Sequence, residues 1–131
     1  MSHWTTVQAE ITDLSALEEA LKSLGYKNIK KNATCRGYGS ATRKADLVVV
    51  GAKGSYDIGF KVTGKKCEII GDFSMMHINE RNFKDDVHQQ YSLALVKRGL
   101  RKKGLRQVTE RVQKDGSIKL IVNLSGTRYG K

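Results

Sequence analysis

The sequence predicts an α+β fold: a mostly antiparallel sheet with two helices packed on one face. Three observations lead there. Two segments repeat apolar residues at helical spacing, several others alternate with the period of strands, and the gaps between the middle strands are too short for crossover helices. The 131 residues include 39% hydrophobic ones, enough for one core, so the chain is expected to form a single domain over residues 1–124 with a tail over 125–131.

The elements follow in order. Trp4 to Ile11 reads as a strand, with Trp4, Thr6, Gln8 and Glu10 on one side and Thr5, Val7, Ala9 and Ile11 on the other, so either side fits burial. Ser15 and Glu18 have the S-x-x-E spacing of a capping box. Leu14, Leu17, Leu21 and Leu24 then recur along a helix, and Gly25 supplies its left-handed stop. Tyr26 to Lys44 is basic and irregular, with a poorly patterned strand near Lys27 to Thr34. Ala45 to Gly51 is valine-rich and reads as a central strand buried on both faces. Tyr56 to Val62 and Lys66 to Phe73 alternate, and the short links between these three strands make hairpins.

Asn79 or Asn82 is placed to cap a longer helix to about Lys103, with Phe83, Val87, Tyr91, Ala94 and Leu95 as its apolar stripe. A closing hairpin pairs Val108 to Val112 with Ile118 to Leu124 across Asp115-Gly116.

Charge carries the functional signal. The chain has 24 Lys and Arg against 13 Asp and Glu, a net +11. Half of those cations fall in two stretches without an acidic residue: Lys27, Lys30, Lys31, Arg36, Arg43 and Lys44, then Lys97, Arg98, Arg101, Lys102, Lys103 and Arg106. Nucleic-acid backbones are bound by such local excess, since each neutralised phosphate releases counterions. Tyr38, flanked by Gly37 and Gly39, is suited to stack on a base. The alternatives are a solvated surface, an acidic protein partner, or helix-dipole complementation, which covers only the last turn. The expected site is therefore Lys30, Lys31, Arg36, Tyr38, Arg43 and Lys44 with Lys97, Arg98, Arg101, Lys102, Lys103 and Arg106, binding RNA or single strands.

Other chemistries find little support. His3, His77 and His88 are dispersed, and Cys35 and Cys67 lack C-x-x-C spacing, so neither metal nor cofactor is expected. The two cysteines read as reduced thiols, with Cys35 lowered in pKa by Lys30, Lys31 and Arg36 to a mildly reactive bystander, and Cys67 buried. No acid, base and nucleophile assemble into an enzyme. Gly51-Ala52-Lys53-Gly54 reads as a turn rather than an RNA-clamping loop. Phe73, Met75 and Met76, or an exposed sheet edge, offer a surface for a protein partner. There is no membrane-length apolar run and no leader pattern, so a cytoplasmic protein is expected.

Seven short motifs resemble a known family in the same order: Met1-Ser2-His3-Trp4, Leu24-Gly25-Tyr26, Arg36-Gly37-Tyr38, Lys44-Ala45-Asp46, Tyr56-Asp57-Ile58-Gly59-Phe60, Gln89-Gln90-Tyr91 and Asp115-Gly116-Ser117-Ile118. The chain is similar, to about Val122, to the hypothetical chloroplast reading frame thirty-five family, also catalogued as domain of unknown function twelve fifty-seven. That family occurs in cyanobacteria, plastid genomes and cyanophages, and its biochemical role is unassigned. The resemblance implies residence in a bacterial cytosol or plastid stroma, or in the host cytosol if phage-encoded. Family neighbourhoods imply an accessory subunit beside an ATPase of the AAA type or a photosynthesis-related complex. The chain departs from the family pattern at Asp72-Phe73-Ser74, at Leu124 to Arg128, and in the basic run from Lys97 to Lys103.

Overall fold

A computed structural model describes residues 4–39, 41–53, 56–105 and 108–122. The elements are β1 (Thr5–Ala9), α1 (Leu14–Ser23), β2 (Ile29–Arg36), β3 (Thr42–Lys53), β4 (Tyr56–Thr63), β5 (Lys66–Gly71), α2 (Phe73–Met76), α3 (Glu80–Lys102), β6 (Val108–Val112) and β7 (Ile118–Val122). The fold is α+β, and packing divides the chain into two compact units, Met1–Ala94 and Leu95–Lys131. The expected tail over 125–131 lies outside the described residues.

In the first unit β1 to β5 form one sheet in the order β1-β5-β4-β3-β2, every neighbouring pair antiparallel. Consecutive strands β2 to β5 form the expected meander, while β1 closes the far edge against β5, with Thr5 opposite Gly71 and Ala9 opposite Cys67. The main core lies between one sheet face and the helices. Leu47, Val49, Ile58, Phe60 and Ile69 from the sheet meet Leu17 and Leu21 of α1, Phe73 and Met76 of α2, and Phe83, Val87 and Tyr91 of α3. Phe83 is an aromatic hub, its ring centroid about 6 Å from those of Tyr26, Phe60 and Phe73. A smaller apolar cluster of Cys35, Ala45 and Val48, with Trp4, Ala33 and Val50 against it, lies apart from this core. That resolves the first strand: Val7, Ala9 and Ile11 serve the main core, and Trp4 serves the second cluster.

Local chemistry moves several boundaries from their expected places. The α1 cap is Asp13, whose Oδ1 accepts the Ala16 N–H at 3.0 Å; Ser15 is already one residue inside the helix. Tyr91 Oη accepts the N–H groups of Thr12 and Asp13 at 3.2 and 3.1 Å, so α3 holds the approach to α1. Gly25 stops the helix at φ +99, as the sequence predicts. Asn79 caps α3 by accepting the Asn82 N–H at 2.9 Å.

The stretch expected to be irregular is an eight-residue strand and the start of a twelve-residue one. Its weak pattern has a cause. Asn32 sits at φ +48 between the pairs Lys31–Leu47 and Ala33–Ala45, and Gly51 sits at φ +61 where the β3–β4 register shifts, so alternation breaks at both places. β5 ends at Gly71, and Phe73 to Met76 form a helical turn that sends Phe73 and Met76 into the core. On α3, Leu93 is buried and Leu95 is exposed, the reverse of the expected stripe at that end.

Two glycines make opposite predictions. A Cβ on Gly59 would lie 3.0 Å from the Ala45 Cβ and 3.2 Å from the Cys35 Cβ, so Gly59→Ala is expected to cost about 1–3 kcal/mol in urea denaturation. Gly99 is helical with nothing within 4 Å of such a Cβ, so Gly99→Ala is expected to add about 0.5–1 kcal/mol in the same assay.

Candidate nucleic-acid interface

Strand pairing disperses the first basic cluster. Lys31 stands opposite Leu47 of the main core and reaches Glu18 of α1 at 3.5 Å, where Glu18 also holds Lys22 at 3.2 Å. Lys30 stands opposite Val48, and Arg43 opposite Cys35, so both belong with the second apolar cluster. Lys44 instead borders a cleft shared with Asn32, Asp46 and Lys61. Neighbours in sequence are thus divided between two surroundings, and the six residues do not form one continuous patch.

Arg36 has a separate task. Its Nε donates to Asp57 Oδ2 and its Nη2 to Asp57 Oδ1, each at 2.9 Å, while its own backbone N–H donates to Oδ2 at 2.9 Å. The Gly51 N–H adds a fourth bond, to Oδ1 at 2.7 Å. Asp57 has no exposed surface. Burial alone would raise its carboxyl, but the Arg36 guanidinium and the backbone N–H groups of Gly51 and Arg36 prevail and hold it below the ordinary aspartate value. Arg36 is therefore first a partner for a buried charge. Sequence reading missed Asp57; its only signal is an acid inside the otherwise apolar run Tyr56 to Phe60. Asp72, also fully buried, was missed too: its Oδ2 accepts the Tyr38 N–H at 3.1 Å, and its Oδ1 has no partner among the described residues. Tyr38 is 41% exposed and borders a cleft with Gly37, Gly39, Arg36 and Tyr56.

The second cluster is concentrated. Leu95 to Lys131 holds 11 of the 24 basic residues and only two acids, Glu110 and Asp115, so it carries +9 of the net +11. Lys97, Arg98, Arg101 and Lys102 occupy the last two turns of α3, and Lys103 follows directly. Lys97 is paired with Glu110 of β6. Asp115 is committed to its own turn, where Oδ1 accepts the Ser117 N–H at 2.9 Å and the Ser117 hydroxyl at 2.6 Å; those bonds hold its carboxyl below the ordinary value. The β6–β7 ribbon adds cations that sequence reading did not assign. Arg111 and Lys119 are exposed and directly opposed across the strands, an arrangement that is unfavourable without a counter-charge. Their signal was their equal offset on either side of Asp115. Arg106 lies outside the described residues. No helix among them is long and apolar enough to cross a membrane.

The cysteines correct an expectation. Cys35 is fully buried, and burial, followed by the Asp57 charge, pushes its thiol up to about 12 against the weaker pull of Arg43 and Arg36. Burial likewise pushes Cys67 up to about 12. Neither is an activated nucleophile. Both thiols are expected to resist a disulfide-exchange reagent at pH 8 in the native protein and to react fully in denaturant. A fast-reacting thiol in the native state would contradict this burial.

Asp57 supplies a second prediction. Asn at this buried position accepts fewer of the four hydrogen bonds and carries no charge for them, while the half-exposed Arg36 side chain stays solvated, so Asp57→Asn is expected to cost about 1.5–3 kcal/mol by urea denaturation. The pair also sets a pH dependence. Because the folded carboxyl titrates below the unfolded one, its stabilisation is complete above about pH 4 and is lost as pH falls through the folded value. The acid limb of the stability profile is expected to flatten in the Asp57→Asn variant.

Comparison with known proteins places this architecture. Residues 20–121 match the family model described as "Protein of unknown function (DUF1257)". The chain is 28% identical over 124 residues to "Uncharacterized protein ycf35" of Cyanophora paradoxa, covering 93% of this chain and 96% of that one. It is 29% identical over 124 residues to the protein of the same description from Pyropia yezoensis, with the same coverage. The Trieres chinensis protein is 27% identical over 120 residues, covering 89% of this chain and 93% of its own. No solved structure matches. With a family model covering most of its length, the chain belongs to the DUF1257 family.

Proposed function

We propose that this protein is a non-enzymatic binding domain that contacts RNA or single-stranded nucleic acid through its C-terminal unit. One observation carries the reading: +9 of the net +11 falls within Leu95 to Lys131. Helix-dipole complementation accounts for cations in the last turn of α3 but not for the opposed Arg111 and Lys119 on the ribbon. Clustered like-charged side chains on a helix end and a two-stranded ribbon suit a phosphate backbone, whose contacts carry no base sequence. Contacts of this kind give steep salt dependence and little sequence preference. The first basic cluster has a smaller share in this reading than the sequence suggests, because Arg36 and Lys31 have carboxylate partners.

An adaptor role for a protein partner keeps one observation in its favour. β1 is an edge strand without a charge, whereas the opposite edge, β2, carries Lys30 and Lys31 and is interrupted at Asn32. The apolar surface expected for such a partner does not support it: Phe73 and Met76 are in the core and Met75 is half-buried. A partner docking along β1 would be captured after nuclease treatment and lost with Thr6→Lys.

The nucleic-acid reading is tested with labelled single-stranded RNA at about 50 and 200 mM salt, across which six single-strand phosphate contacts lose roughly a few hundredfold in affinity and more contacts lose more. Joint replacement of Arg101, Lys102 and Lys103 by Gln is expected to flatten the slope of log affinity against log salt by about 2, at roughly 0.7 per single-strand phosphate. Absence of binding at the lower salt, or an unchanged slope in the triple variant, would overturn the assignment.

A further inference from the structure

The first unit holds a cleft of about 460 Å³ where β2 turns into β3, within the roughly 300–1,000 Å³ range of small-molecule sites. We infer that this cleft binds an unpaired nucleotide, with its base against Tyr38 and Tyr56 and its phosphate on the outer edge of Arg36. This goes beyond backbone binding by the C-terminal unit and uses none of that unit's residues.

Three features carry the inference. The first is the guanidinium. Asp57 grips Arg36 through Nε and Nη2, which fixes the guanidinium plane, and Nη1 has no partner among the described residues. The Arg36 side chain is nonetheless 49% exposed and lines the cleft. An arginine clamped from behind by a buried carboxylate presents its remaining donors at little entropic cost.

The second feature is the lining. Tyr38 and Tyr56 border the cleft, Gly37 and Gly39 present bare backbone, and Thr42 contributes a hydroxyl. Among the described residues no carboxylate or amide side chain lines it, so a planar base carrying a phosphate meets both a ring surface and a cation. The cleft along β1 and α3, of about 510 Å³, is the contrast: Glu10 and Asp85 share it with Lys66, Lys84 and His88, and no single ligand charge suits it.

The third feature is bracing. The Tyr38 N–H is held by buried Asp72 at 3.1 Å, and the Gly37 N–H donates to the Ala41 carbonyl at 2.9 Å. Gly37 lies so close to Trp4 that a Cβ there would sit 2.8 Å from the indole ring. The turn is therefore positioned before any ligand arrives. Trp4 is also the chain's one tryptophan, so its fluorescence reports on this cleft.

The test titrates the full chain with AMP, UMP, phenyl phosphate and inorganic phosphate, following Trp4 fluorescence and ligand-observed NMR. AMP and UMP are expected to bind at least about tenfold more tightly than phenyl phosphate or inorganic phosphate. Tyr38→Ala should weaken AMP about tenfold, and Tyr38→Phe should restore it, since stacking needs the ring and not the hydroxyl. Thr42→Glu places a carboxylate in the cleft and should abolish binding, which keeps the test open if Tyr38→Ala does not fold. Joint replacement of Arg101, Lys102 and Lys103 by Gln should leave AMP binding unchanged, so failure of the C-terminal reading is distinguishable from failure of this one. Displacement of AMP by a single-stranded RNA octamer identifies the nucleotide as part of a strand, and no displacement identifies it as free; both agree with the inference. No AMP binding at about 10 mM, equal binding of phenyl phosphate, or native affinity in Tyr38→Ala would overturn it.

Discussion

A carboxylate with no exposed surface sits at the start of β4, and the long strands around it are arranged to satisfy it. Asp57 draws on the last residue of β2, through both the backbone and the side chain of Arg36, and on the irregular part of β3, through Gly51. Three strands are thus joined at one side chain. A buried ion pair often stabilises a fold no more than apolar residues of equal volume would, but it penalises any arrangement that separates its members. Here that penalty fixes where β2 ends, where β3 departs from regular pairing, and how β4 begins. The positive φ of Gly51 accompanies an N–H that reaches the carboxylate at 2.7 Å.

This constraint governs how charge is to be read along the chain. Two basic stretches of similar length and composition have different structural fates. In the first, antiparallel pairing sends neighbours into different surroundings, and carboxylates on α1 and β4 engage two of them. In the second, the cations occupy the end of one helix, and a two-stranded ribbon in the same unit adds its own. A count of lysines and arginines does not separate these cases. The acids do: the first unit holds 11 of the 13, whereas Leu95 to Lys131 holds two.

How much was legible in the sequence depended on whether a signal was local. The α+β class, the hairpins around Gly64 and Gly116, the glycine stop after α1 and the Asn79 cap all rest on neighbouring residues, and all are present. Asp13 replaced the expected cap because one aspartate just outside the helix reaches the Ala16 N–H by itself. β2 and the start of β3 were hard to see because Asn32 and Gly51 interrupt the alternation on which strand recognition depends. Cys35 misled for a related reason. Its basic sequence neighbours suggest activation, but its environment is set by Ala45, Val48 and Asp57, which pairing brings from later strands. The cleft residues Tyr38 and Tyr56 are far apart in sequence, so only the first was legible.

The strand order has a consequence for how the molecule is made. β1 is synthesised first, yet its partner is β5, the last strand of the sheet to leave the ribosome. Every other pairing in the sheet joins consecutive strands and closes early, at small entropic cost. During synthesis, Val7, Ala9 and Ile11 therefore wait beside α1 without a sheet to cover them, while β2 to β4 are already able to pair. Closure of the edge is one late, long-range step, and α2 and α3, later still, lay Phe73, Met76, Phe83, Val87 and Tyr91 over the finished sheet. The N-terminal strand is in this sense a latch, and until it engages the edge of β5 lies unpaired, the kind of edge that invites aggregation or a chaperone.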